Sequence, residues 1–300
     1  MDSLGKSHLL VVEDEAIFLD ILLESLSDHG YFVHIARTGA EAMAQIAAYA
    51  DILDAILLDR LLPDMDSLVL LPQIKANAGL VHVPIIIQTS LSAADEIAAG
   101  LKAGAYYYLT KPFSPDTLLS IVRAAVADRC DYLQSQARIR QTQEIMRNLD
   151  RGVFRFSTPT EARDLATLAS HAAPDPSRVV LGLTELMLNA VEHGNLAITY
   201  DEKTRLIADS ALELEIERRL ASPDFSGRTA YLALERTAEA LIYTVSDAGN
   251  GFDWATYLEL APERAFDTHG RGIAMSRLMS FDYLEYLGCG NQVRCRIDFG

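Results

Sequence analysis

Four groups of residues in this chain have types and spacings that could do chemistry. Glu13-Asp14 follows one apolar run, Asp59 ends a second, Thr89 ends a third, and Lys111 follows a fourth. Oxygen-rich acidic groups of this kind suit hard divalent cations such as Mg2+, and a lysine beside them adds a fixed counter-charge. A second group is Glu185-x3-Asn189-x3-His193, whose i, i+4, i+8 spacing puts three polar side chains on one helix face. The intervening Leu183, Leu186, Met187, Ala190 and Val191 serve a core. An amide on such a helix is costly unless something binds it. The remaining groups are Asp247-Ala-Gly249-Asn-Gly251 and Gly270-Arg271-Gly272, where missing side chains let backbone come close to a ligand.

The elements that must position these residues follow from hydrophobic periodicity. Over 8–126, the apolar runs Leu9–Val12, Phe32–Ile35, Ile56–Leu58, Ile85–Ile87 and Tyr106–Leu109 each precede a helical pattern. Near-continuous apolar strands alternating with amphipathic helices predict a five-stranded, doubly wound parallel sheet covered on both faces. Ligands of such sheets bind at the carboxyl ends of the strands, where the strand order reverses, and the first group falls there. From about Thr117 a helix runs on towards Asp150. Its stripe Leu119, Val122, Val126, Leu133, Ala137 fits either a solvated connector or a short dimeric coiled coil with its seam at Leu119–Val122–Val126–Leu133. A second domain then reads as strand Gly152–Phe156, a helix from about Thr160, and the motif helix Ser177–Gly194. A charged helical insertion, Asp201–Leu220, precedes strands Ala230–Glu235 and Ala240–Ser246 and a closing hairpin of Tyr283–Leu287 and Val293–Ile297. An antiparallel sheet with helices on one face is an α+β sandwich. The expected domains are 1–125, a connecting helix 126–150, and 151–300.

Bulk properties narrow the function. A length of 300 residues suits about two domains. The net charge of −16 argues against binding the phosphate backbone of DNA or RNA. No apolar run approaches the roughly 20 residues of a membrane span, and the N-terminal apolar run reads as a buried strand, not a leader. Cys130, Cys289 and Cys295 have no metal-like spacing, which suits free thiols in a reducing cytoplasm. No Gly-x4-Gly-Lys-[Ser/Thr] string is present, which excludes a P-loop.

The first half resembles the receiver domain of two-component response regulators, on Asp59 in Ile-Leu-Leu-Asp-Arg-Leu-Leu-Pro-Asp-Met-Asp and on Glu13, Asp14, Thr89 and Lys111-Pro112-Phe113. The resemblance implies Asp59 as phosphoacceptor, with Mg2+ held by Glu13, Asp14, Asp59 and the Leu61 carbonyl. A carboxylate attacks a phosphoryl group only when the combined negative charge is offset, which the cation and Lys111 would do. Thr89 and Tyr108 would be the switch pair that reports occupancy. Ser67 stands where the family usually has Gly, implying a small change at the start of the third helix.

The second half is similar to the GHKL (Bergerat) ATP-binding fold. There the resemblance implies that Asn189 ligates the Mg2+ carried by ATP, Asp247 accepts from the adenine amino group, and Gly249 and Gly251 let backbone approach the base. Gly270, Arg271 and Gly272 would bind phosphates at a helix start, and 252–269 would be a lid. The Glu-x3-Asn-x2-Glu-His-Gly-Asn string and the His-Gly-Arg-Gly box look like the anti-sigma-factor serine kinase branch, in which Glu185 would act as general base. A sensor histidine kinase would need a phosphorelay histidine with an acidic neighbour. His171 is the candidate and lacks one, so it reads as a loop or helix-end residue.

The expectation is a cytoplasmic, phosphorylation-controlled response regulator whose output is an ATP-dependent serine/threonine protein kinase. Its partners would be an upstream histidine kinase or phosphotransfer protein and a downstream anti-sigma-factor antagonist or sigma-factor-like protein, with a homodimer possible and neither nucleic acid nor membrane. The alternatives are an ATP-modulated module that sequesters its partner without turnover, and an atypical histidine kinase.

Overall fold

The computed structural model describes residues 6–90, 98, 100–254 and 272–300. The chain divides into two units, Met1–Arg138 and Ile139–Gly300. In the first, strands β1 (His8–Val12), β2 (Phe32–Ala36), β3 (Leu53–Asp59), β4 (Ile85–Thr89) and β5 (Tyr107–Thr110) form a parallel sheet in the order β2-β1-β3-β4-β5. Side chains alternate across the pleat. Leu10 and Val12 therefore enter one core with Ile56, Leu58, Ile85 and Ile87, while Leu9 and Val11 enter another with Leu57, Ile86 and Leu109. Helices α2 (Gly39–Tyr49) and α3 (Ser67–Lys75) cover the first face through Ala42, Ile46, Leu70 and Ile74. Helices α1 (Ala16–Ser27) and α4 (Pro115–Arg147) cover the second through Leu19, Leu22, Leu26, Leu118 and Val122. The strand order reverses between β1 and β3, which opens the crevice beside Glu13 and Asp59.

Helix α4 corrects the expected dimer seam. Leu119 and Val122 are buried in the receiver-like core, and Val126 packs against it, so these residues cover their own sheet. Leu133 is exposed. An apolar stripe has the same period whether it covers its own sheet or a second helix. The Ser67 departure is absorbed locally: this first residue of α3 is buried, and its hydroxyl donates to the Arg60 carbonyl at 3.0 Å.

The second unit holds an antiparallel sheet in the order β6-β7-β8-β10-β9. Its strands are β6 (Arg151–Phe156), β7 (Ala230–Arg236), β8 (Ala240–Ser246), β9 (Tyr283–Leu287) and β10 (Gln292–Asp298). Alternate residues such as Leu232, Leu234, Tyr243, Val245, Cys295 and Ile297 build one core with α5 (Pro159–Ser170) and α6 (Pro176–Asn189). Small residues Ala162, Ala166 and Ala169 line the buried face of α5, and the Tyr243 hydroxyl donates to Ala169 O at 2.9 Å. His171 caps the C-terminus of α5.

The motif helix is not one α-helix to Gly194. It is α-helical to Asn189 and then widens into a π-helical turn, Ala190–Asn195, in which Leu196 N donates to Val191 O at 2.9 Å. Wide turns of this kind re-aim side chains and recur at functional sites. The charged stretch after it forms two helices, α7 (Tyr200–Ala208) and α8 (Leu212–Leu220). Helix α9 (Gly272–Met275) runs into a second π-helical turn, Ser276–Ser280, before β9. Among the described residues no helix is long and apolar enough to cross a membrane.

Candidate functional sites

At the first unit's crevice, β3 delivers Asp59 and the turn after β1 delivers Glu13 and Asp14. One carboxylate oxygen from each lies within 4.8 Å of the others. Lys111, just past β5, inserts its ammonium between two of them, 2.6 Å from Asp59 Oδ2 and 2.7 Å from Glu13 Oε2. Glu13 has no exposed surface. Burial pushes its carboxyl up to about 7, against the lowering hydrogen bond from Lys111 and with the Asp59 charge adding to the rise. Burial alone would lower Lys111, but its bonds to Asp59 and Glu13 outweigh that and raise it. Three acids and one cation leave the cluster short of positive charge, which is the donor set a hard divalent ion fits.

Thr89 ends β4 almost fully buried, and its carbonyl accepts from Lys111 N at 2.7 Å. Tyr108 is buried on β5, against Gly100. Leu61 N donates to Asp59 Oδ1 at 3.3 Å. Phe18 was not expected here: its ring lies 4.2 Å from the Lys111 ammonium and meets Phe113 edge-on at 5.3 Å. Helical periodicity marks such a ring only as core.

The second unit contains a cavity of about 800 Å3, within the range that holds a nucleotide-sized ligand. Helix α6 contributes Glu185 and Asn189 to its wall, and the π-helical turn contributes His193 and Gly194. Asn189 Nδ2 donates to Glu185 Oε1 at a long 3.4 Å. A Cβ at Gly272 would fall 1.8 Å from that Glu185 oxygen, so a side chain there would have to displace the Glu185 carboxylate. The His193 Nδ1–H donates to Ile198 O at 2.5 Å, because a carbonyl can only accept. Burial holds the His193 ring below its ordinary pKa, and the Ile198 bond opposes this.

Asp247 follows β8 and also lines the cavity. Its Oδ1 accepts from Gly249 N at 2.8 Å, and Gly194 packs against its carboxyl group. Burial pushes Asp247 up to about 6, with the Gly249 bond pulling the other way. Asn195, buried behind it, accepts from Ala248 N at 2.9 Å. Gly251 holds φ at +78°, and a Cβ there would strike the Cys289 carbonyl. Its close approach here is to the 288–291 turn. Tyr286 closes the cavity with Phe252 edge-on at 5.2 Å.

Gly270, Arg271 and most of the expected lid lie outside the described residues. The lining residues missed in the sequence include Tyr200, Lys203 and Arg228. Lys203 lies in the stretch Asp201–Leu220 that reads as a charged helical insertion, and its pairing with the buried Glu192 is not visible in the sequence. The long weak bond of Asn189, the carboxylate of Asp247 and the side-chain-free approach at Gly272 fit a magnesium–nucleotide ligand.

Comparison with known proteins gives a family match for each half of the chain. Residues 9–123 match the response regulator receiver domain, and residues 135–297 match the histidine kinase-like ATPase domain. The response regulator MprA of Mycobacterium bovis (strain BCG / Pasteur 1173P2) is 33% identical over 179 residues, covering 58% of this chain and 74% of that protein. MprA of Mycobacterium ulcerans (strain Agy99) is 39% identical over 117 residues, covering 39% of this chain and 49% of that protein. Among solved structures, the receiver domain of a signal transduction histidine kinase from Syntrophus aciditrophicus is 30% identical. It covers 40% of this chain and 90% of its own, with a TM-score of 0.38. This chain belongs to the response regulators, and behind its receiver domain it carries a histidine kinase-like ATPase domain.

Proposed function

We propose that this response regulator uses its ATPase domain as a serine/threonine protein kinase of the anti-sigma type, under the control of phosphorylation at Asp59. The observation that carries this reading is the pairing of Glu185 with Asn189, one helical turn apart on the cavity wall and 3.4 Å from each other. Asn189 offers an amide oxygen to a metal ion, and Glu185 offers a carboxylate one turn away that the nucleotide does not need. Mg2+ on the phosphates supplies charge neutralisation when bound. Asp247 orients the base through its carboxylate. Glu185 then takes the proton from an attacking hydroxyl as its oxygen bonds to the terminal phosphorus and ADP leaves.

At the other site, Asp59 accepts a phosphoryl group from a histidine kinase or phosphotransfer protein, while Lys111 offsets the charge that the acceptor gains. Thr89 and Tyr108 are the pair expected to shift when Asp59 is occupied. The acceptor for the kinase is a small cytoplasmic protein with a reactive serine or threonine, such as an anti-sigma-factor antagonist. Incubating the full chain with radiolabelled ATP and the proteins it retains tests this reading. Acid-stable label on serine or threonine of a retained protein supports it. Acid-labile label points to a histidine, and no transfer with nucleotide-dependent retention points to a sequestering module.

A further inference from the structure

Three cations that lie outside every motif grip the end of the motif helix. Arg219 Nη1 donates to Leu196 O at 2.7 Å, and Arg228 Nη1 donates to Asn195 O at 3.0 Å. Lys203 on α7 instead pairs with a carboxylate: its ammonium sits 2.6 Å from Glu192 Oε2 on the π-helical turn. Glu192 is 4% exposed, and the Lys203 side chain is largely buried but lines the cavity. The charged helical pair is therefore docked on the site, and it forms part of the cavity wall.

A buried ion pair is weak support for stability, because desolvation offsets most of the attraction. At a cavity wall the same pair has another use: the acid holds the ammonium in place, and an ammonium has three donors. The other lining groups are less suited to an anion. Arg228 already donates to Asn195 O, and its guanidinium lies 5.0 Å over the Phe225 ring. His193 is committed through Nδ1 to Ile198, and its burial favours the neutral ring. The base end of the cavity is marked by the Asp247 carboxylate, which would repel a phosphate. Glu192 follows Asn189 on the same helix, at the end where a metal-bound phosphate belongs.

We propose that Lys203 is a nucleotide-binding residue, whose ammonium, held on the cavity wall by Glu192, takes a phosphate oxygen of ATP. The inference rests on ATP occupying this cavity, and it adds α7 to the nucleotide site as the source of a phosphate contact.

Calorimetry on the full-length protein tests it with Mg-ATP and with adenosine, alongside melting curves. Replacing Lys203 alone leaves Glu192 buried and unpaired, so the informative variant is Lys203→Met/Glu192→Gln, which removes both charges. Lys203→Arg, which keeps a cation, is the rescue. The double variant is expected to fold and to bind adenosine like wild type, while losing about ten- to a hundredfold in ATP affinity. The arginine variant is expected to recover part of that loss. Wild-type ATP affinity in the double variant would overturn the proposal. An equal loss for ATP and adenosine would also overturn it, and would make the pair structural only. Wild-type protein that bound neither ligand would overturn the nucleotide reading itself, and this inference with it.

Discussion

The two sites solve opposite problems. The Asp59 site is small and already filled with charge: Lys111 bridges two carboxylates at 2.6 and 2.7 Å, and the third acid stands beside them. The nucleotide cavity is about 800 Å3, and its polar lining includes Glu185, Asn189, Lys203 and Asp247. The first selects by electrostatics, because a cation relieves three crowded acids. In the proposed reading the second selects by shape, with the Asp247 carboxylate taking the base. A single charge change is therefore expected to act as an on–off switch at the first site and as a graded effect at the second.

The largest expected effect tests the on–off half of that contrast. Acetyl phosphate with Mg2+ is expected to add one phosphate to the wild-type protein and none to Asp59→Asn, read by intact mass. Label retained in the variant would place the acceptor elsewhere. The graded half is tested by Asn189→Ala and Asp247→Asn, each expected to weaken Mg-ATP about ten- to a hundredfold by calorimetry. Asp247 also gives a pH signature. Its carboxyl titrates at about 6, so ATP affinity is expected to hold above pH 7 and fall as pH drops through 6. Asp247→Asn is expected to abolish that step, and an unchanged pH profile in this variant would break the assignment.

Glu13 sharpens the contrast from the side of stability. Its folded pKa, about 7, lies above the ordinary 4.5. The folded state therefore binds more protons across that window, and this group's stabilising contribution, full below pH 4.5, is lost as pH rises through 7. Mg2+ competes with the proton, so its effect on melting temperature is expected to be larger at pH 8 than at pH 6, by on the order of 5 °C. An Mg2+ effect equal at both pH values would contradict the crowded-acid account. The smallest effect is that of Ser67→Gly, which removes one buried hydroxyl bond to Arg60 O. It is expected to cost about 1 kcal/mol by denaturant unfolding, with phosphorylation intact.

Much of this architecture was legible because it follows from local period and composition. The runs around Leu9–Val12 and Ile85–Ile87 are apolar throughout because both faces of their sheet are covered. Glu185 and Asn189 share a helix face because 3.6 residues make a turn. What was not legible depends on contacts between distant segments. The π-helical turn at 190–195 is held by the Glu192–Lys203 pair, by Arg219 and Arg228, and by the packing of Gly194 on Asp247. No pattern within Asn189–Asn195 announces those partners. The stripe at Leu119 and Val122 misled for the related reason that periodicity shows that a face is buried and not what buries it.

The most direct test of the central claim is a paired measurement on Glu185→Gln, with ATP affinity and phosphoryl transfer to the retained partner read in the same preparation. The substitution keeps the shape of the side chain but cannot accept a proton. The account predicts wild-type ATP affinity with transfer reduced by roughly 10²–10⁴. Affinity and transfer falling together would contradict it and would assign Glu185 to the nucleotide; transfer at the wild-type rate would remove it as the base.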